Sequence, residues 1–168
     1  DCKLVHMDEG FVRSIPKGEV GLEFADSHPF LLLSEGSLVD LNANIEENGS
    51  HAIPMNRFRP NIVVDAPLPF EEDSWARIQI GDVEFVMVEH AARCAITTIN
   101  QGTGEKGKEP LRTLAQYRRV KHEGKNLGVV FGQIATNLNT GYVEVGMDVE
   151  VLEYKDPSDF SSLIATTS

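Results

Sequence analysis

Cysteine is scarce in this chain of 168 residues, with only Cys2 and Cys94 present. Two thiols exclude a disulfide-dense scaffold and, by themselves, an all-cysteine zinc site, which needs four thiolates. Long hydrophobic runs are lacking too. The longest, Pro29-Phe30-Leu31-Leu32-Leu33, falls far short of the roughly 20 residues that cross a bilayer, and no signal-peptide pattern precedes it. Positive charge is in deficit: 15 Lys and Arg face 26 Asp and Glu, a net charge of -11. That balance argues against general binding to nucleic acid or to anionic membranes. Neither GxGxxG, a Walker loop, HExxH nor a GxSxG elbow occurs. What remains is ordinary globular composition, 41% apolar and 24% charged, in a length that suits one domain with a substantial core. The chain opens on Asp1 without a methionine and runs at once into the strand-like Lys3-Leu4-Val5-His6-Met7, which reads as a piece of a longer protein.

Charge is unevenly spread. Residues 1–50 carry ten acids against three bases, whereas residues 101–126 carry three acids against seven bases. The second stretch (Lys106, Lys108, Arg112, Arg118, Arg119, Lys121, Lys125) is either a solvated helix and loop or a rim that attracts an anionic ligand or an acidic partner.

Strand signals dominate. Asn61-Ile62-Val63-Val64 is short and β-branched. Arg77–Ile80 and Val83–Val88 flank Gly81-Asp82, a hairpin pattern. Tyr142–Val145 and Val149–Leu152 alternate valine with glutamate around Gly146-Met147-Asp148, which predicts a second hairpin with one wet face. Two helices are expected. One starts after Ser34 or Ser37 with Leu38, Leu41 and Ile45 on one face, and stops at Asn48-Gly49. The other starts at Pro110 and carries Leu111, Leu114 and Tyr117, with Arg118 and Arg119 at its C-terminal end. Residues 101–107 read as a mobile loop, and residues 155–168 as a linker or frayed tail after a domain spanning 1–154. The fold expected is β-rich, a barrel or strongly curved mixed sheet with a few short helices.

Three places could carry chemistry. Cys94 follows a strand with Arg93 before it, and the thiolate that a neighbouring cation favours is the form that ligates metals. From these residues alone, a buried structural cysteine is the stronger reading. His90 stands four positions earlier, but nothing completes a zinc site. In Asn56-Arg57-Phe58-Arg59-Pro60-Asn61, alternation puts Arg57, Arg59 and Asn61 on one face, suited to gripping an oxyanion. Two surface arginines before an edge strand are the plainer alternative. Asp26-Ser27-His28-Pro29 forms a polar turn at a strand mouth, as an ordinary turn would.

The order of motifs carries more than any one of them. Asp26–Ser34, Ser37–Asn42, Arg57–Asn61, Glu72-Asp73-Ser74-Trp75, Ile80-Gly81-Asp82, Arg93-Cys94, Thr97-Thr98, Lys108–Leu111, Thr113-Leu114, Tyr117-Arg118, Phe131-Gly132 and Val145–Val149 follow one another. Together, over residues 3–153, they resemble the MOSC domain of the molybdenum cofactor sulfurase family. The nearest subgroup is that of the amidoxime-reducing components and their bacterial relatives.

The resemblance implies a MOSC-type β-barrel that binds the molybdenum cofactor, molybdopterin carrying molybdenum. It implies that Cys94 ligates the metal, that Arg93, Arg59 and Asn61 hold the pterin, and that Ser27 and His28 make further contacts. Asp26 would stand near the metal as a catalytic group beside Cys94. Close relatives often have serine before the arginine; Ala92 stands here and brings no hydroxyl. The implied activity is reduction of N-hydroxylated compounds such as amidoximes, with electrons from a ferredoxin-like or cytochrome b5-like partner. A cofactor carrier for sulfur transfer, or a degenerate interaction-only domain, is the alternative. Family members carry an N-terminal MOSC-associated barrel with further cofactor contacts, so the expectation for this segment alone is no bound cofactor and no activity. The implied location is mitochondrial in a eukaryote and cytoplasmic in a bacterium.

Overall fold

The computed structural model describes residues 28–122 and 125–155. The strand-like Lys3–Met7, Asp26, Ser27 and the tail from Asp156 onward lie outside the described residues. Within them the fold is β-rich and mixed. One seven-stranded sheet curls into a half-barrel in the order β2-β1-β6-β4-β3-β7, with β5 added to β6. The strands are β1 Phe30–Ser34, β2 Ile62–Val64, β3 Trp75–Ile80, β4 Val83–Arg93, β5 Arg119–His122, β6 Lys125–Asn137 and β7 Val149–Tyr154. Two helices, α1 (Glu35–Glu47) and α2 (Leu111–Tyr117), pack outside it.

The apolar triplet explains β1. Leu32 faces a core with Trp75, Ile78, Phe85 and Ala135, while Leu33 faces a second core with Leu41, Ile45, Phe58, Leu114 and Phe131. A strand buried on both faces has no polar alternation to show. It runs parallel to β2 and antiparallel to β6. The Ser34 hydroxyl caps α1 at the Ser37 amide, 3.5 Å away, and Gly49 (φ 74) follows its end. The β3–β4 hairpin forms as read, through Gly81 at φ 56.

Three expectations are corrected. Tyr142–Val145 is not a strand. β7 pairs with the edge of β3 instead, and the preceding loop folds over the β3–β4 turn, where Asn139 Nδ2 donates to the Asp82 carbonyl at 2.7 Å. Residues 101–107 are not loose. Asn100 Oδ1 accepts from the amides of Gly102 and Thr103, the Gly107 amide donates to the Thr98 carbonyl, and Gln101 Nε2 donates to the Asn56 carbonyl. α2 starts after Pro110 rather than on it and ends at Tyr117. Arg118 is its C-cap and Arg119 already belongs to β5. At the end of the described residues, Lys155 donates its amide to the Ser74 carbonyl and its Nζ to Gln133 Oε1.

The Glu72-Asp73 pair of the motif series is buried beneath α1. Glu72 is 0% exposed, with both carboxyl oxygens within 2.9 Å of the Ser37 hydroxyl. Burial pushes its carboxyl up to about 7, against the pull of Ser37. Asp73 goes the other way: burial raises it, but His90 and Arg118 outweigh burial and hold it below the usual range. The sign for Glu72 is therefore unfavourable at high pH. The native chain keeps a proton that the unfolded chain releases, so stability falls between pH 4.5 and about 7. The loss is on the order of 3 kcal/mol. In Glu72→Gln this fall should vanish from urea unfolding measured across that window; an unchanged slope would assign it elsewhere.

Candidate functional site

Three separate segments, joined by Ile134 of β6, meet at one cleft of about 530 Å³, within the usual range for a small-molecule site. The start of β1 supplies His28 to Leu31, the loop before β2 supplies Arg57 to Asn61, and the end of β4 supplies Ala92 to Thr97. So His28, Arg59, Asn61, Arg93 and Cys94 line one cleft. Asp26 and Ser27 lie outside the described residues, so their positions are not compared.

Cys94 leaves β4 as the cap of a single 3-10 turn, Ala95–Thr98, and its carbonyl accepts from the Thr97 amide and hydroxyl at 3.2 and 2.9 Å. Its thiol is exposed, not buried. The reading of Cys94 as a core cysteine is thereby overturned, and the reason is positional. The strand has run out, and register shifts between Met87 and Glu89 and between His90 and Ala92 have re-aimed its last residues.

Arg93 is sunk beside it. Nη2 donates to the Phe58 carbonyl at 2.8 Å, and the guanidinium lies 5.3 Å from the Phe58 ring. Burial pushes this guanidinium below its usual value, while Cys94 pulls it back up. Phe58 stacks on Phe131 of β6 at 4.4 Å, so the loop is anchored to the second core. Arg57 reaches the Thr97 carbonyl with Nε at 3.0 Å. Asn61 is half spent: its Oδ1 accepts from the Leu31 backbone amide and its backbone N–H donates to the Leu31 carbonyl, fixing β2 on β1 while its side-chain Nδ2 is left over.

Alternation is not what gathers Arg57, Arg59 and Asn61. Arg57 closes a 3-10 turn, Met55–Arg57, and Arg59 has a left-handed backbone (φ 57). The residues were legible and their geometry was not. Phe58 and Thr97, which hold the arginines in place, carry no local signal of that role. His90 belongs elsewhere, with Nδ1 3.3 Å from Asp73 Oδ1 and 2.7 Å from Gln133 Nε2. Among the described residues no group of three His, Cys, Asp or Glu could hold a metal ion.

The basic island divides in two. Arg112 is bonded to Glu109 and Arg118 to Asp73, whereas Lys106 shares with Arg57 a second depression of about 500 Å³ beside the cleft. The side chains of Lys121 and Lys125 lie outside the described residues. Three buried polar atoms lining the cleft are left over. Nδ1 and Nε2 of His28 and Nε of Arg93 have no hydrogen-bond partner. Buried polar atoms are ordinarily paired, so these three have unused hydrogen-bonding capacity facing the cleft, with an exposed thiol, a soft donor in its ionised form, at the lip.

The chain is a curled, strand-rich sheet with an arginine-lined cleft and an exposed cysteine, and the family model for the MOSC domain matches residues 20–150. The chain belongs to that family. It is 39% identical over 141 residues to mitochondrial amidoxime-reducing component 1 of Homo sapiens, which covers 82% of this chain and 40% of that protein. The mouse protein of the same name is 35% identical over 162 residues, covering 90% of this chain and 46% of that protein. Molybdenum cofactor sulfurase of Arabidopsis thaliana is 36% identical over 142 residues, covering 80% of this chain and 16% of that protein. The chain thus spans less than half the length of these relatives.

Proposed function

We propose that the cleft holds the molybdenum cofactor and that the domain serves the reduction of N-hydroxylated compounds such as amidoximes. The observation that carries this is the exposed Cys94 thiol at the lip of a cleft whose wall contains unpaired donors on His28 and Arg93. Cys94 would ligate the metal, a role for which a thiolate is a suitable soft ligand. Arg59, Arg93 and the free amide of Asn61 would hold the pterin and its phosphate, with Ser27 and His28 as further contacts and Asp26 near the reacting group. The cofactor, when bound, supplies two-electron redox chemistry.

The residues of this chain bind, orient and neutralise. Planar guanidinium groups match phosphate oxygens two at a time. Phe58, packed on Phe131, keeps Arg93 from swinging out. The net reaction takes an amidoxime, two electrons and two protons to an amidine and water, breaking the N–O bond. An electron-donor protein or domain, ferredoxin-like or cytochrome b5-like, supplies the electrons, and an N-terminal MOSC-associated segment completes the cofactor contacts.

The match to the sulfurase supports a second reading, a cofactor carrier in sulfur transfer. The test is production in a host that makes the cofactor, with the chain extended to the relatives' length. Molybdenum analysis is followed by an amidoxime assay with a chemically reduced donor. Bound molybdenum with amidine formation supports the reductase. Bound molybdenum without turnover favours the carrier, and no molybdenum overturns both.

A further inference from the structure

The depression beside the cleft, about 500 Å³, is lined by Arg57, Asn100, Glu105, Lys106 and Gly107. Arg57 lines both hollows, so the two share a wall. The cofactor reading makes no use of it. Its shape is set by backbone. Residues 98–107 double back on themselves: Ile99 and Lys106 face each other as an antiparallel bridge, the Gly107 amide donates to the Thr98 carbonyl at 2.9 Å, and the Asn100 amide donates to the Glu105 carbonyl at 2.8 Å. Gln101 Nε2 ties the tip to the Asn56 carbonyl at 2.7 Å. Opposite stands Arg57, whose Nε and Nη2 donate to the carbonyls of Thr97 and Glu109 at 3.0 and 3.4 Å. A closed loop thus delivers Lys106 beside a fixed Arg57, and little ordering is left for a ligand to impose.

Charge is the second observation. Arg77, Arg112 and Arg118 each meet an acid, yet on a chain of net charge -11 neither Arg57 nor Lys106 has an ion pair among the described residues. The carbonyls that hold Arg57 do not neutralise it, and its Nη1 is unused. Asn100 Oδ1 is taken by the amides of Gly102 and Thr103, which leaves its Nδ2 as a further donor. Glu105 is the one acid among the lining residues, and Thr103 Oγ1 donates to its Oε2 at 3.2 Å. Two cations against one carboxylate leave a single positive charge, which matches a monoanion better than a phosphate dianion. The concave shape, recessed at Arg57, fits a small group. An acidic protein face would meet the exposed Lys106 and Lys108 alike.

We propose that this depression is a carboxylate subsite, which takes the anionic end of a substrate whose N-hydroxylated end lies in the cleft. The substrates are then N-hydroxylated compounds that also carry a carboxylate. The proposal rests on the reductase reading for the group in the cleft, and on the depression alone for the carboxylate.

The probes are benzamidoxime and para-carboxybenzamidoxime, which differ only in the carboxylate. In an NMR titration of the isotope-labelled chain, the carboxylate compound alone should move the amides of Asn100, Lys106 and Gly107. It should bind about fivefold more tightly than the neutral compound, as suits an exposed ion pair. Lys106→Gln should erase that difference and Lys106→Arg should keep it. Lys108→Gln, which removes a cation outside the depression, should keep it too. Equal binding of the two compounds by wild type, or an equal loss from Lys108→Gln, overturns the subsite. Turnover is then read in protein extended to the relatives' length and loaded with cofactor, with the chemically reduced donor and hence no partner protein. There kcat/KM should show the same preference and the same response to Lys106→Gln. Turnover of both compounds at equal kcat/KM overturns the subsite and leaves the reductase reading standing. Carboxylate-dependent shifts at Lys106 with turnover of neither compound remove the reductase reading and leave the carboxylate site.

Discussion

Cys94→Ser should strip the protein of molybdenum while leaving its fold intact. The thiol is exposed at the cleft lip, so its loss removes no core volume and should move stability within about 0.5 kcal/mol. A serine hydroxyl is a harder ligand that stays protonated at neutral pH, and it cannot take the place of a soft thiolate. The measurement is metal per chain in protein extended to the relatives' length and made with the cofactor, alongside a circular dichroism melt. The expected result is molybdenum at background with an unchanged melting curve. Wild-type molybdenum content in the mutant would remove Cys94 from the metal. Cys2 is the natural control, since no ligand position of the resemblance falls on it.

The largest effect on stability is expected far from the cleft. Arg118 Nη2 meets Asp73 Oδ2 at 2.6 Å, with the two side chains only 14% and 9% exposed. Asp73 also accepts from Gln133 Nε2 at 2.8 Å. Removing one partner of a buried pair leaves an uncompensated charge, at about 3–5 kcal/mol. Arg118→Leu should therefore lower the urea midpoint severely, and adding Asp73→Asn should restore a good part. The pH dependence carries the sign. In wild type the depressed Asp73 carboxyl contributes stability that is present above its unfolded value of 3.8 and lost as pH falls through the folded value. Without Arg118 that contribution shrinks, and Arg118→Leu should lose less than wild type on acidification. A mutant as stable as wild type would make the pair ornamental.

Local pattern revealed the elements whose chemistry is local. Ser34 before Leu38, Leu41 and Ile45 marks α1, and Gly81-Asp82 between β-branched runs marks the hairpin, because caps and turns are decided by neighbouring residues. β6, the longest strand at 13 residues, escaped notice. Gly132 breaks its pattern at φ 85, where a Cβ would lie 2.6 Å from the Leu32 carbonyl, and Gln133 is polar yet 0% exposed. Both features come from partners more than 20 residues away. Tyr142–Val145 failed in the opposite way: it alternates like a strand, but β7 already occupies the edge of β3. At the site, residue types were readable because a fork of donors and a thiol announce their chemistry. The turn that mounts Arg59 and the exposure of Cys94 are products of tertiary packing.

The cleft takes its walls from segments near residues 28–31, 57–61 and 92–97, and no two of these are neighbours in sequence. Until β1 has paired with both β2 and β6, the surface that a ligand would recognise does not exist in any part of the chain. Occupancy and folding are therefore linked through mass action: a ligand that binds only the finished arrangement draws the whole equilibrium toward it. At a hundredfold excess over its dissociation constant, such a ligand adds about 2.7 kcal/mol to the stability of the chain. That is as much as many core substitutions remove. Supply of the ligand would then set how much of the protein survives in a cell, as well as how much of it is competent.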